Sequence, residues 1–199
     1  YGVFRPKNKT LTEDQPLNPV SPYGIAKAAA EQAGLYYFRQ HKLPVVIARA
    51  FNHSGPRQAD SFVIPAFAKQ IASIESGLQE PVVAVGDLSA RRDLSDVRDI
   101  VCGYRLMAEK GKPGQVYQLC SGRTVTIKSV LDTLLKLSDK RIRVKVDKSR
   151  LRKSDIPILR GDNRRAAREL GYKIRYSLTT TLKDTLEYWK KKISVMHRG

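Results

Sequence analysis

Three short apolar runs, residues 45–48, 82–85 and 116–120, are separated by stretches of helical period, and this alternation restricts the chain to an α/β architecture. Val45-Val46-Ile47-Ala48 sits between Pro44 and a turn-forming stretch from Asn52 to Pro56. Unbroken apolarity over so few residues predicts a strand buried on both faces, as in a parallel sheet. Ser21-Pro22 predicts a helix start, with Ser as cap and Pro in the first helical position. The alanine-rich helix that follows should end by residues 41–44. Further helices are expected over residues 62–76 and 97–110, the latter stopped by Gly111-Lys112-Pro113-Gly114. Thr126 should cap a helix with Ile127, Val130, Leu131, Leu134, Leu135 and Leu137 on one stripe. Asp162 should cap a short helix that ends at Leu170, with Gly171 beyond it. Leu178, Leu182, Leu186 and Trp189 mark a last helix, and residues 1–19 read as surface loop.

Lys and Arg number 37 against 19 Asp and Glu, a net charge of +18. A surplus of that size attracts anions, whether nucleic acid, anionic membrane or phosphorylated small molecules. The densest block, residues 140–153, holds eight Lys or Arg opposed by Asp147 alone. Within it Arg141-Ile142-Arg143-Val144-Lys145-Val146 alternates charged and apolar, which predicts a half-buried strand with a solvated basic face. Aromatics are not interleaved with the basic run and no zinc-ligand spacing occurs, so a basic nucleic-acid-binding module is the weaker alternative. No window approaches the roughly 18 apolar residues that a membrane span needs, and residues 1–11 do not resemble a signal peptide. Cys102 and Cys120 read as buried thiols of a reducing compartment, the cytoplasm. Because the first residue is Tyr1, the chain is expected to be a piece of something longer.

The sharpest local signal is Tyr23-Gly24-Ile25-Ala26-Lys27. Positions four apart are neighbours on one helix face. An ammonium beside a phenol favours the phenolate and turns an inert hydroxyl into a usable proton donor or acceptor. On spacing alone, the competing explanation is a packed Tyr with a solvated Lys.

The surrounding residues carry a family resemblance. Residues 19–31, Pro-Val-Ser-Pro-Tyr-Gly-Ile-Ala-Lys-Ala-Ala-Ala-Glu, resemble the catalytic helix of the extended short-chain dehydrogenase/reductases. Arg49-Ala-Phe-Asn-His-Ser-Gly-Pro56 resembles the strand and loop that follow it in the nucleotide-sugar members. Residues 86–99 resemble their Arg-Asp-aromatic segment, with Leu94 in place of the aromatic. Residues 118–122 and 155–162 fit the same pattern, so the match runs in order along nearly the whole chain. It is nearest to the GDP-6-deoxy-4-keto-sugar reductases, with the GDP-mannose 4,6-dehydratases as neighbours.

The resemblance implies the carboxy-terminal part of an NAD(P)-binding Rossmann fold plus a smaller mixed α/β substrate domain. Residues 1–56 would end the Rossmann domain, and residues 57–199 would mainly bind the nucleotide sugar, with about 93–122 returning to the Rossmann sheet. By the same resemblance Tyr23 is the catalytic acid/base. Lys27 assists it and holds the nicotinamide ribose of NADP or NAD. His53 touches the nicotinamide end, and Asn52 contacts the substrate's phosphate or sugar. Arg92 binds the diphosphate, while Arg152 and Asp155 hold the GDP nucleoside end, with Lys153 where the family has Pro. No metal is implied; a homodimer or tetramer is. A guanidinium suits phosphate oxygens through bidentate bonds, although Arg91 and Arg92 have an alternative in pairing with Asp93, Asp96 and Asp99. Asn52 and His53 have an alternative as plain turn formers. Lys69 and Arg57 read as solvated surface.

The family's Gly-rich phosphate turn is not found: there is no Gly-x-Gly, and the only Gly-x-x-Gly is Gly111 to Gly114. The expected reading is thus the later portion of a reductase that converts GDP-4-keto-6-deoxymannose to GDP-rhamnose. A GDP-mannose 4,6-dehydratase, or another nucleotide-sugar dehydratase or epimerase, is the alternative. The acid that separates these reactions lies before the Tyr-Gly pair that opens the chain. The preference for reductase rests on the texture of residues 62–162.

Overall fold

A computed structural model describes residues 10–151 and 156–197. Its elements run α1 (Pro22–His41), β1 (Ile47–Ala50), β2 (Asn52–Ser54), α2 (Val63–Glu75), β3 (Val82–Val85), β4 (Arg91–Asp96), α3 (Val97–Lys110), β5 (Val116–Leu119), β6 (Thr124–Thr126), α4 (Ile127–Lys136), β7 (Arg143–Val146), β8 (Ile158–Leu159), α5 (Arg164–Leu170) and α6 (Leu178–Met196). This is the expected α/β order. The α1 helix opens where Ser21 and Pro22 predict, with the Ser21 hydroxyl accepting from the Gly24 N–H at 3.1 Å. Thr126 caps α4 through the Ser129 N–H. The cap position of α5 falls to Asn163 rather than to Asp162 as expected, while Asp162, one residue earlier, still accepts from the Arg164 N–H. Gly171 ends α5 at φ 75°, a left-handed conformation that favours glycine.

Two apolar clusters form. One joins α3, β5, α5 and Tyr172, with parts of β1 against it. The other joins α2, β3, α4 and the Leu182, Leu186, Trp189 and Ile193 stripe of α6. Strand β1 pairs in parallel with β5, Ile47 opposite Val116. In the second sheet β4 is central: it runs parallel to β2 and β8 and antiparallel to β6.

Strand β4 escaped sequence analysis because it is polar. Its interior carboxylates are buried and fully occupied. Asp93 accepts from the Ser121 N–H at 2.8 Å, the Ser121 hydroxyl at 2.6 Å, and the N–H groups of Gly122 and Gly161. Burial outweighs these donors and pushes its carboxyl up from the ordinary value. Asp96 caps α3, grips the Arg98 guanidinium with both oxygens and accepts from Thr181 on α6. Asp99 accepts from the N–H groups of Arg175 and Tyr176. The three acids are therefore committed elsewhere than to Arg91 or Arg92.

Burial works to raise the Asp96 carboxyl, but Arg98 and Thr181 hold it below the ordinary 3.8. A lowered carboxyl contributes stability above its unfolded value and loses it as pH falls through the folded one. Asp96→Ala should therefore cost about 1–3 kcal/mol at neutral pH, the scale of lost hydrogen bonds to a charged group together with a helix cap. Urea unfolding should show the gap between variant and parent closing below 3.8.

Three expectations need correction. The basic strand is β7, but all four of its residues are exposed rather than half-buried. It pairs only with β3 among the described residues, and Val144 and Val146 are 45% and 58% exposed, because no layer covers that face. Basic side chains are what an uncovered edge usually carries. The residues at 52–56 are not all turn, since Asn52–Ser54 form β2. Of the cysteines, Cys120 is buried and Cys102 only partly so; both are free thiols. Among the described residues no helix is long and apolar enough to cross a membrane.

Candidate active site

Tyr23 stands in the first turn of α1, 68% exposed, with the Lys27 ammonium 5.6 Å from the centre of its ring. The i, i+4 spacing thus brings phenol and ammonium together. Their helix is anchored by charge rather than by an apolar stripe, for Gly24 and Glu31 are its only buried residues. Glu31 holds Arg49 of β1 through two bonds, Nε to Oε2 at 3.0 Å and Nη2 to Oε1 at 2.7 Å. Arg49 also donates to the Glu13 carbonyl at 2.9 Å, and the Glu13 carboxylate accepts from the Gln118 N–H on β5. One network therefore fastens α1, β1, β5 and the loop before α1.

Two cavities meet at Tyr23 and His53. The larger, of about 590 Å³, is lined by Tyr23, Asn52, His53, Gln58, Phe62 and others. The smaller, of about 320 Å³, is lined by Tyr23, Lys27, His53 and Tyr104 among others. Tyr104 comes from α3; burial pushes its phenol up, and Tyr23 adds to the shift. Volumes of this size accommodate a small ligand.

Strand β2 delivers Asn52 and His53 to this junction. Asn52 is exposed, His53 half-buried and Ser54 buried. The His53 Nδ1 lies 2.9 Å from the Phe51 carbonyl. A carbonyl only accepts, so Nδ1 carries the proton of this bond, and of the two neutral tautomers the one with its lone pair on Nε2 is the one that can form it.

Arg92 stands on β4, two residues from Leu94, which pairs with Asn52. Its guanidinium donates to the carbonyls of Arg91 at 2.9 Å and Pro157 at 3.4 Å. Burial pushes it down from the ordinary guanidinium value, with Asp87 opposing. Arg92 is not on the wall of the larger cavity, but its strand partner Leu159 is. Tyr23, Lys27, Asn52 and His53 are thus brought together, with Arg92 on the adjoining strand. Arg152 and Asp155 lie outside the described residues. Lys69 is at the surface, paired with Asp60 at 2.6 Å, and Arg57 is exposed.

Sequence analysis missed the Glu31–Arg49 pair and Gln58. A signal for the pair existed: Arg49 is the one charge inside an apolar strand, and such a charge needs a partner. No local signal marks Gln58, whose partners come from the reversal of the chain after β2.

A family model described as GDP-mannose 4,6 dehydratase matches residues 1–185. GDP-6-deoxy-D-mannose reductase of Pseudomonas aeruginosa is 32% identical over 193 residues, which are 97% of this chain and 64% of the reductase. dTDP-glucose 4,6-dehydratase of Streptomyces antibioticus is also 32% identical, over 96% of this chain and 54% of that enzyme. Among solved structures, RMD from Pseudomonas aeruginosa complexed with NADPH superposes with a TM-score of 0.86 at 32% identity, over 90% of this chain and 60% of that one. UDP-glucose 4-epimerase from Thermotoga maritima, with UDP-glucose, reaches 0.81 at 29%, over 95% and 60%. The chain spans less than two thirds of the length of each of these proteins.

Proposed function

The chain belongs to the GDP-mannose 4,6-dehydratase family, and on that premise we propose that it carries the acid/base and sugar-binding portion of an NAD(P)-dependent nucleotide-sugar oxidoreductase. Its reaction is the reduction of GDP-4-keto-6-deoxymannose to GDP-rhamnose. The observation that carries this reading is the wall common to the two cavities, formed by the Tyr23 phenol and the His53 imidazole, with the Lys27 ammonium beside Tyr23 in the smaller one. The match to the reductase, over 97% of the chain, supports the choice of reaction.

The donor set suits the nicotinamide end of the cofactor: an ammonium for ribose hydroxyls and a bare Nε2 to accept from a carboxamide. When bound, that group supplies the hydride. Tyr23 gives its proton to the C4 oxygen as the carbonyl becomes an alcohol, and solvent restores the phenol. Lys27 steadies the phenolate that remains. Asn52 contacts the sugar or its phosphate. Arg92 holds the diphosphate, so that binding remote from C4 orients the ketone. Arg152 and Asp155 are assigned to the nucleoside end. Residues 1–56 with about 93–122 form the Rossmann part, and the rest of 57–199 the nucleotide-sugar part. Assembly as a homodimer or tetramer, in the cytoplasm, belongs to the same reading.

A second reading is a 4,6-dehydratase, favoured by the equal identity to the Streptomyces dehydratase. One experiment separates them. The complete gene product is incubated with GDP-4-keto-6-deoxymannose and NADPH or NADH, and separately with GDP-mannose alone. Consumption of reduced nicotinamide matched by GDP-rhamnose is expected. A 4-keto product formed from GDP-mannose without net nicotinamide consumption would transfer the assignment to the dehydratase. RNA or DNA binding that falls steeply with salt, without turnover on either sugar, would point to a basic binding module.

A further inference from the structure

The Gln58 side chain uses both ends of its amide on the strand that carries His53. Its Oε1 accepts from the Ser54 hydroxyl at 2.7 Å, and its Nε2 donates to the His53 carbonyl at 3.1 Å. It reaches back because the chain reverses between Gly55 and Gln58. Arg57 takes a left-handed φ of 73°, and the Gln58 N–H donates to the Gly55 carbonyl at 3.4 Å. The turn is pressed against the start of α3, where a Cβ on Gly55 would come within 2.7 Å of Val97 Cγ1. Ser54, itself buried, is in register with Asp96. The amide therefore braces the free end of a three-residue strand whose only described partner is β4.

That strand determines where the imidazole points. The bond from His53 Nδ1 to the Phe51 carbonyl spans two residues and holds only while the backbone between them keeps its pleat. The Gln58 amide grips the carbonyl of His53 itself, two residues on from that of Phe51. Gln58 also lines the larger cavity beside Tyr23 and His53. We propose that Gln58 is a positioning residue: by clamping the His53–Ser54 backbone it fixes the His53 ring in one tautomer, with Nε2 toward the reacting end of the site. The inference rests on the proposed function for its kinetic consequence but not for its structural one.

The test uses the complete gene product with Gln58→Met, which keeps the length of the side chain and removes both bonds. A Ser54→Ala variant removes only the first. Expected are a fall in kcat of about 10- to 100-fold for Gln58→Met, the scale of a slight misplacement near the chemistry, and a smaller fall for Ser54→Ala. KM for the nucleotide sugar should stay within about twofold. In 15N-histidine NMR spectra, assigned with a His53→Gln variant, the His53 signals should move from a single Nδ1–H tautomer toward a mixture. An unchanged His53 spectrum overturns the proposal, as does a loss in which kcat, KM and melting temperature fall together. If the unmodified protein turns over no nucleotide sugar, the proposed function falls, and the histidine spectrum alone decides the role of Gln58. Should Gln58→Met fail to fold, Gln58→Glu, which keeps an oxygen for the Ser54 hydroxyl and loses the N–H to the His53 carbonyl, supplies the same spectral comparison.

Discussion

Replacing Tyr23 by Phe should lower kcat of the complete gene product by at least about 10²- to 10⁴-fold, the range of a lost general acid, while GDP still binds. The exposed hydroxyl makes no hydrogen bond that stabilises the described fold, and the ring that packs beside Lys27 survives in Phe. The melting temperature should therefore be unchanged. The decisive comparison is turnover against GDP affinity, the latter by calorimetry. Retained turnover would remove Tyr23 from the chemistry. Loss of GDP binding would assign it to the nucleotide instead, the task proposed above for Asn52 and Arg92.

The second large effect is on stability. Arg49→Met leaves the Glu31 carboxylate, 2% exposed, without its two-pronged partner. Breaking a buried pair from one side costs about 3–5 kcal/mol, against a total stability of about 5–15 kcal/mol for a typical domain. The loss should be visible in urea unfolding at neutral pH. Changing both residues, Glu31→Gln with Arg49→Met, should recover part of it, because no uncompensated charge remains in the interior. If the single variant were as stable as the parent, α1 would be held by something other than this pair.

What sequence analysis could read divides along a physical line. Helices α3 and α4 were legible, α3 from the breakers that stop it and α4 from its cap and apolar stripe, because such signals are local. Strand β3 was legible as an apolar run between breakers. Strand β4 was not, for its buried Asp93 is stabilised by donors at 121, 122 and 161, and nothing in Arg91-Arg92-Asp93-Leu94-Ser95-Asp96 announces them. The alternation over 141–146 marks a strand but not its burial: alternation describes which faces differ, not whether a second layer arrives to cover one. In the site, the nearness of Tyr23 and Lys27 followed from helical spacing, and their roles from the family resemblance. Gln58 depends on a chain reversal and a left-handed Arg57, which no periodicity encodes.

The ladder of carboxylates at 93, 96 and 99 has a mechanical consequence. Asp93 and Asp99 are bonded to segments beside the α3–β5–α5 core, and Asp96 to Thr181 on the helix of the other core. Opening a crevice between the two halves by rotation would expose buried charge at each rung. With α1 fastened to β1 through Glu31 and Arg49, the phenol on α1 and the guanidinium on β4 both stand on elements that resist such a rotation, so the molecule has no cheap hinge at its waist.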